Sequence, residues 1–166
     1  MKDRFDLAII GGGIHGAGVA FVASARGYDV LLVEKGDLAE GTSSRSSKLI
    51  HGGLRYLETA QFSLVRESLA ERAWHLEHAA SLVRLRPFVI PVYRGQRRGP
   101  LTIRAGLTLY SLLAGLSPDA RFRSFSPANW KNDDGLQRDG LRRVFRYADA
   151  QTDDAALTRA IAARAK

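Results

Sequence analysis

The chain has no cysteine and a single methionine among its 166 residues. Without cysteine there is no disulfide framework, no thiolate nucleophile and no cysteine-bound metal. That composition fits a reducing compartment, and no metal site is expected. Long apolar runs are also missing. Leu7 to Ile10 is too short for a signal-peptide core, and no later segment reaches the roughly 20 apolar residues a membrane span needs. Export and membrane crossing are therefore not expected. Acidic residues are scarce beside basic ones, 17 against 25, which leaves a net charge of +8. The excess lies in the second half, where arginines recur from Arg84 to Arg146 with pairs at Arg97-Arg98 and Arg142-Arg143. Such a field suits nucleic acid, anionic lipid or a phosphorylated substrate, or it is a solvated surface whose acidic counterpart lies elsewhere. No nucleic-acid-binding motif accompanies the charge, so nucleic acid is not an expected partner.

What is present is ordinary for a globular protein: 45% hydrophobic and 25% charged residues, in a chain long enough for one real core. Leu7-Ala8-Ile9-Ile10 is a short apolar run that ends at glycine, as a buried parallel strand does. A glycine-rich turn covers Gly11 to Gly16. Small and apolar residues from Ala17 to Arg26 predict a helix that Gly27 stops. Val30-Leu31-Leu32-Val33, within Asp29 to Glu34, predicts a second buried strand. Strand, glycine turn, helix and strand within about 30 residues make a βαβ unit.

Farther on, Gly36 to Ser47 reads as a polar loop. A long helix is predicted over Gln61 to Leu85. Its apolar stripe would be Val65, Leu69, Ala73, Leu76 and Ala80, with Leu64, Ser68, Glu71 and His75 on another stripe. Phe88 to Tyr93, bounded by prolines, predicts a short strand at a sheet edge. Leu101 to Leu116 predicts a helix, Ser117 to Gly140 is irregular, and Val144 to Tyr147 predicts a strand. Asp153 or Asp154 is expected to cap a last helix. That helix runs to the end without a stop signal, and a lone βαβ unit leaves a doubly wound sheet incomplete. The chain is accordingly expected to be a fragment.

Gly11-Gly12-Gly13-Ile14-His15-Gly16 satisfies G-x-G-x-x-G in the right context, after a strand and at the opening of a helix. Gly11 permits the tight turn, Gly13 lets backbone approach a pyrophosphate, and Gly16 allows close helix–strand packing. The helix N-terminus offers free N–H groups and partial positive charge to phosphates. Glu34 ends the second strand 18 positions after Gly16, where a carboxylate accepts hydrogen bonds from ribose hydroxyls and repels a 2′-phosphate. Dinucleotide binding follows, with NADP disfavoured. His15, inside the turn, either meets phosphate or ribose or points to solvent.

Residues 42 to 58 read Thr-Ser-Ser-Arg-Ser-Ser-Lys-Leu-Ile-His-Gly-Gly-Leu-Arg-Tyr-Leu-Glu. Hydroxyl groups and backbone donors there can wrap a pyrophosphate and a flavin, and Gly52-Gly53 would let backbone approach a flat ring. Composition alone leaves a flexible serine loop open as well. Together, Ile-Gly-Gly-Gly-Ile-His-Gly-Ala-Gly and Ser-Ser-Lys-Leu-Ile-His-Gly-Gly-Leu-Arg-Tyr-Leu-Glu resemble the two signature regions of bacterial FAD-dependent glycerol-3-phosphate dehydrogenases. The likeness continues weakly through Leu64 to Arg72, Arg104 to Tyr110, Tyr147-Ala148-Asp149 and Asp153-Asp154-Ala155. His15 departs from the family's usual asparagine, and the family's members are several times longer.

The resemblance implies an α/β fold with a Rossmann-like FAD-binding βαβ unit, of the kind shared by glutathione reductase and D-amino-acid oxidase, here incomplete. It implies FAD as cofactor, sn-glycerol 3-phosphate as substrate and dihydroxyacetone phosphate as product, with electrons passed to a membrane quinone. A cytoplasmic protein in peripheral contact with an anionic membrane face is expected, the basic loop from Arg94 and the leucines of 101–116 forming that surface unless they belong to a core helix. The expected cofactor residues are Gly11, Gly13, Ile14, His15, Gly16, Glu34 and Lys35, then Thr42, Ser43, Ser44, Ser47, Lys48, Leu49, His51 and Gly52. Arg55 and Tyr56 are expected on the substrate side of the flavin. Arg55 would meet phosphate or developing charge, or else hold a structural ion pair; His51 would line the ring rather than act as base. Residues 1–60 would form the FAD-binding unit and flavin loop, 61–85 a helix of that domain, 86–147 the start of a substrate- or membrane-facing region, and 148–166 a returning helix. Two alternatives remain at this point: another flavoenzyme of the amino-acid-oxidase superfamily, which would not be expected to carry the second signature, and a non-catalytic nucleotide-binding remnant.

Overall fold

A computed structural model describes residues 4–131 and 135–165; residues 132–134 of the predicted irregular stretch, and Lys166, lie outside them. The chain divides into two compact units, residues 1–49 with 152–166, and residues 50–151.

In the first unit, strand β1 (Leu7–Ile10) pairs in parallel with β2 (Val30–Val33), Leu7 opposite Val30 and Ile10 opposite Val33. Helix α1 (Ile14–Ser24) connects them. It begins earlier than Ala17 because Gly13 serves as its N-cap, its carbonyl accepting the Ala17 N–H at 2.9 Å. Gly27, at φ +85°, ends the turn that follows, as the sequence requires. Ala17 and Ala20 are buried, and such small side chains allow α1 to lie close on its neighbours.

The expectation of buried strands is corrected. Among the described residues this sheet has two strands, so much of each is uncovered, and Ile10 is 94% exposed. The fourth helix, Asp154–Ala163, packs on α1 within the same unit. Its N-cap is Asp153, whose carboxylate accepts the Ala156 N–H at 3.0 Å.

In the second unit, β3 (Leu49–Ile50) crosses the boundary, and a 3-10 turn follows over Leu54–Thr59. Then come α2 (Phe62–His78), β4 (Val83–Tyr93), α3 (Pro100–Leu113), β5 (Arg123–Phe125) and β6 (Leu141–Thr152); the helix at Asp154–Ala163 is α4. The sheet order is β3-β6-β4, with β5 antiparallel to β6.

The helix expected over 61–85 stops at His78, and Val83 already belongs to β4. Leu82, Val83 and Leu85 fit either a helical or an alternating pattern; Val83 buried, Arg84 exposed and Leu85 half-buried shows that period two wins. Pro87 and Pro91 are tolerated because β4 closes one end of the sheet order, where a missing N–H need not face a partner. The strand expected at Val144–Tyr147 is likewise longer, running Leu141–Thr152.

One stripe of α2 also departs from its pattern. Val65 and Leu69 are buried, but Ala73 and Ala80 are exposed and Arg72 is buried in their place. Its guanidinium donates to Asp149 Oδ1 at 3.0 Å, to the Tyr110 hydroxyl at 3.3 Å and to the Ala148 carbonyl at 3.3 Å. The two side chains are 3% and 5% exposed. Asp149 Oδ1 also accepts the Ala150 N–H at 3.1 Å and the Gly52 N–H at 3.3 Å. Around this pair lie Val65, Leu69, Tyr110 and Ala120, an apolar cluster that also includes Leu54 and Leu113. Burial, and then the Asp149 charge, pushes the Tyr110 phenol well above its ordinary range, so it stays a neutral hydroxyl.

Removing one partner of a buried pair strands the other charge. Arg72→Met is expected to lower the unfolding free energy by about 3–5 kcal/mol, and Arg72→Met with Asp149→Leu to recover most of that loss. Urea denaturation followed by circular dichroism checks both. A loss below about 1 kcal/mol in the single variant, the size of an exposed pair, would contradict a buried one.

Candidate functional site

The glycine turn of the first unit is fixed by a positive φ at Gly11 and by close contacts at Gly16 and Gly13. Gly11 takes φ +106° and donates its N–H to the Val33 carbonyl at 2.8 Å, tying the turn to the end of β2. A Cβ on Gly16 would collide with the Gly11 carbonyl oxygen, and one on Gly13 would stand 3.1 Å from the Ser43 hydroxyl.

Glu34 faces that backbone from the end of β2. Its Oε2 accepts the Gly12 N–H at 2.6 Å, and its Oε1 accepts the N–H groups of Lys35 at 2.7 Å and Gly36 at 3.2 Å. These bonds, the one from Gly12 first, hold its carboxyl below the ordinary 4.5. Opposite, a 3-10 turn over Thr42–Ser44 brings the Ser43 hydroxyl to 2.9 Å from the Ile14 N–H, which donates to it. Glu40 Oε2 accepts the Asp37 N–H at 3.1 Å and shapes the connecting loop.

These elements enclose an open cleft of about 350 Å³, lined by Gly13, Glu34, Lys35, Glu40, Gly41, Thr42, Ser43 and Arg45. The volume lies within the range of small-molecule sites. Its donors and acceptor are distributed as a nucleoside diphosphate requires. A helix N-terminus suits phosphate oxygens, and an ionised carboxylate across from it suits a diol. The bare glycine backbone is the cradle that the pyrophosphate of a dinucleotide needs.

Of the residues expected to bind cofactor, Gly13, Glu34, Lys35, Thr42 and Ser43 line this cleft, while Gly11, Ile14 and Gly16 build its glycine wall. His15 lies exposed on the first turn of α1 and is not among the lining residues. The Ser44 hydroxyl turns back onto the carbonyls of Glu40 and Gly41, both at 3.1 Å. Ser47 is exposed, Leu49 is half-buried in β3, and Lys48 pairs with Asp154. Glu40, Gly41 and Arg45 line the cleft without having been singled out in the sequence. Their only signal was adjacency to Thr42-Ser43-Ser44.

The remaining candidates belong to the second unit. Gly52 is buried, and its missing side chain makes room for the Tyr110 hydroxyl and Leu69. Gly53 uses φ +75°. His51 is exposed, its ring centroid 6.5 Å from that of Tyr56. Arg55 is exposed too, and among the described residues it makes no ion pair, so the structural-pair reading finds no partner there.

Comparison with known proteins places these features. Residues 6–166 match the family described as FAD dependent oxidoreductase. The chain is 43% identical over 166 residues to the aerobic glycerol-3-phosphate dehydrogenase of Staphylococcus haemolyticus, covering 99% of this chain and 30% of that protein. It is 42% identical over 165 residues to the enzyme of the same name from Staphylococcus aureus, again about 30% of its length. Among solved structures, the glycerol-3-phosphate dehydrogenase from Bacillus halodurans complexed with FAD superposes with a TM-score of 0.69 at 28% identity, over 99% of this chain and 25% of that one. The L-alpha-glycerophosphate oxidase from Mycoplasma pneumoniae with FAD bound gives 0.70 at 19% identity, a likeness of fold. The chain therefore spans about a quarter to a third of the length of these proteins. With its glycine turn, acidic strand end and α/β fold matched from residue 6 onward, the chain belongs to the FAD dependent oxidoreductase family.

Proposed function

We propose that this chain supplies the FAD-binding part of an enzyme that oxidises sn-glycerol 3-phosphate to dihydroxyacetone phosphate and passes the electrons to a membrane quinone. The observation that carries the cofactor half is the pairing of Glu34 with the Gly12 N–H across the mouth of the cleft. The similarity to aerobic glycerol-3-phosphate dehydrogenases supports the substrate half. Amino-acid-oxidising proteins share the fold at under 25% identity, for instance the L-proline dehydrogenase from P. horikoshii at 16%, and no observation favours their chemistry here.

FAD would supply the hydride acceptor; the chain's own residues bind and orient. Glu34 accepts hydrogen bonds from the adenosine ribose, and the N–H groups at the start of α1 receive pyrophosphate oxygens. Thr42 and Ser43 complete the wall of that site, and Ser44, Ser47, Lys48 and Leu49 belong to the segment that carries them. His51, which is exposed, serves the flavin end, whereas the space beside Gly52 is taken by the Tyr110 hydroxyl and Leu69. Arg55, an exposed planar fork that makes no ion pair among the described residues, holds substrate phosphate or developing negative charge, and Tyr56 donates a hydrogen bond to substrate.

Membrane contact is part of the same proposal, on a smaller surface than the leucine content of α3 suggests. Leu107 is buried and Ile103, Leu109 and Leu113 are half-buried, so the core takes most of the helix's apolar face. Leu101, at 82% exposure, Leu112 and Leu116 remain outside, near the exposed Arg94, Arg97, Arg98 and Arg104 in sequence. Arg98 pairs with Glu58 at 2.6 Å, and both are open to solvent. No helix among the described residues is long and apolar enough to cross a membrane. An anionic, cytoplasmic membrane face held by the arginines is the arrangement proposed.

Titration with FAD is expected to show binding that Glu34→Gln weakens by about tenfold or more, because hydrogen bonds to charged groups contribute about 1.5–3 kcal/mol. The folded carboxyl titrates below its ordinary 4.5. Wild-type affinity should therefore hold down to that pH and fall only as the pH drops through the lowered value, while the variant shows no such step. Unchanged affinity in Glu34→Gln would remove the residue from the site.

For the substrate, a chimera carrying these 166 residues in place of the matching part of the Staphylococcus haemolyticus enzyme is expected to reduce a dye acceptor with glycerol 3-phosphate. Arg55→Lys in that chimera should lose about tenfold to a hundredfold in kcat/KM. A chimera that holds FAD but oxidises only an amino acid would overturn the substrate assignment. The 166 residues alone are expected to give no turnover, since hydride transfer requires the alcohol carbon held about 3–3.5 Å from its acceptor.

A further inference from the structure

Lys48 stands in the middle of the hydroxyl-rich segment, where a cation invites the reading that it neutralises phosphate. Its surroundings in the first unit give it other work. The Lys48 ammonium donates to Asp154 Oδ1 and to the Ser44 carbonyl, the latter at 3.1 Å. The other carboxylate oxygen of Asp154 accepts the Ser46 N–H at 3.2 Å. The Lys48 N–H donates to the Ser46 hydroxyl at 3.0 Å, and the Lys48 carbonyl accepts the Thr152 N–H at 3.0 Å. Every one of these bonds closes the segment upon itself, upon the end of β6 or upon the start of α4.

The backbone bears the mark of that closure. Lys48 has φ +60°, the left-handed region that a residue with a side chain seldom adopts unless its neighbours hold it there. Asp154 is in the first turn of α4, where a carboxylate is favoured by the helix N-terminus, and its side chain is 12% exposed while that of Lys48 is 45% exposed. The bonds from Lys48 and Ser46 hold the Asp154 carboxyl well below the usual carboxylate range, so it is ionised at neutral pH. Ser44, whose carbonyl takes the Lys48 ammonium, is the last residue of the Thr42–Ser44 turn, and α4 packs on that turn. Ser43 in the same turn receives the Ile14 N–H at the start of α1.

We infer that Lys48 and Asp154 are positioning residues, a clamp that sets the Thr42–Ser44 turn against the N-terminus of α1, and that Lys48 acts on the cofactor through this clamp rather than by its own charge. The inference rests on the reading of the cleft as the FAD site. It adds Asp154, which is far from the glycine motif in sequence, to the residues on which cofactor affinity depends.

A double-mutant cycle on the full chain separates the two roles of Lys48. A clamp predicts that Lys48→Met and Asp154→Asn each weaken FAD binding, read by quenching of flavin fluorescence, by a similar factor of about fivefold. The double variant should then be no weaker than either single one. A direct charge on phosphate predicts the opposite sign for Asp154→Asn, which would free the ammonium and tighten binding; that result, or additive losses in the double variant, overturns the inference. Hydrogen exchange of the cofactor-free chain gives a second readout. Amides of residues 43–48 should exchange faster in both single variants and at the wild-type rate in Glu34→Gln. If the wild-type chain binds no FAD, the reading of the cleft fails, and exchange still decides the clamp: unchanged rates at Ser43 and Ser44 in Asp154→Asn would overturn it.

Discussion

The nucleotide-binding unit is organised by one hydrogen bond, that from the Gly12 N–H to the Glu34 carboxylate at 2.6 Å. It joins the turn after β1 to the end of β2, and both ends are held: Gly11 bonds the Val33 carbonyl, and Glu34 gathers the N–H groups of Lys35 and Gly36. An acceptor satisfied only by backbone donors has its charge fixed in place, and it stands beside the N–H groups of α1. The cleft is therefore polarised before any ligand arrives, with donors along one wall and an anion on the other. A diol and a diphosphate meet that pattern; a 2′-phosphate beside Glu34 would not.

The second unit depends on a different constraint, the buried Arg72–Asp149 pair. A buried ion pair is weak evidence for stability in itself, since desolvation offsets much of the attraction. What it does here is geometric. Arg72 comes from α2, Tyr110 from α3, Asp149 from β6 and the Gly52 N–H from the segment after β3; the Asp149 carboxylate accepts from Arg72 and Gly52, and Arg72 donates in turn to the Tyr110 hydroxyl. The stretches in which the resemblance continued weakly, Leu64 to Arg72, Arg104 to Tyr110 and Tyr147-Ala148-Asp149, are the ones that supply these groups. Their spacing along the chain gave no reason to connect them; their meeting place in the fold does.

What could be read in the sequence follows from the range of the forces involved. The βαβ unit is written in local terms: apolar runs at Leu7 and Val30, obligatory glycines between, and an acid at the end of the second strand. Its two strands and the helix between them are therefore legible, as is a cap at Asp153 or Asp154 farther on, of which the fold uses Asp153. Arg72 was not, because nothing within one helical turn distinguishes a buried arginine from a surface one; its partner lies 77 residues away. The end of α2 was lost for a related reason, since Leu82-Val83-Arg84-Leu85 satisfies two periodicities and only pairing in the sheet decides between them. Exposure of Ile10 was equally hidden, because burial of a strand depends on what covers it. In the cleft, Glu34 and Ser43 were legible from the motif, whereas Glu40 and Arg45 enter through the way the connecting loop folds.

The central claim is that the cleft between the glycine turn, Glu34 and Ser43 is where FAD binds. The most direct test is a nitrogen–proton NMR titration of the chain with FAD. The account predicts that the Gly12, Gly13, Ile14 and Lys35 amides, which surround the cleft, shift together and saturate with the same affinity, and that NADP at equal concentration leaves them in place. FAD binding that saturates while these four amides stay unmoved would contradict it.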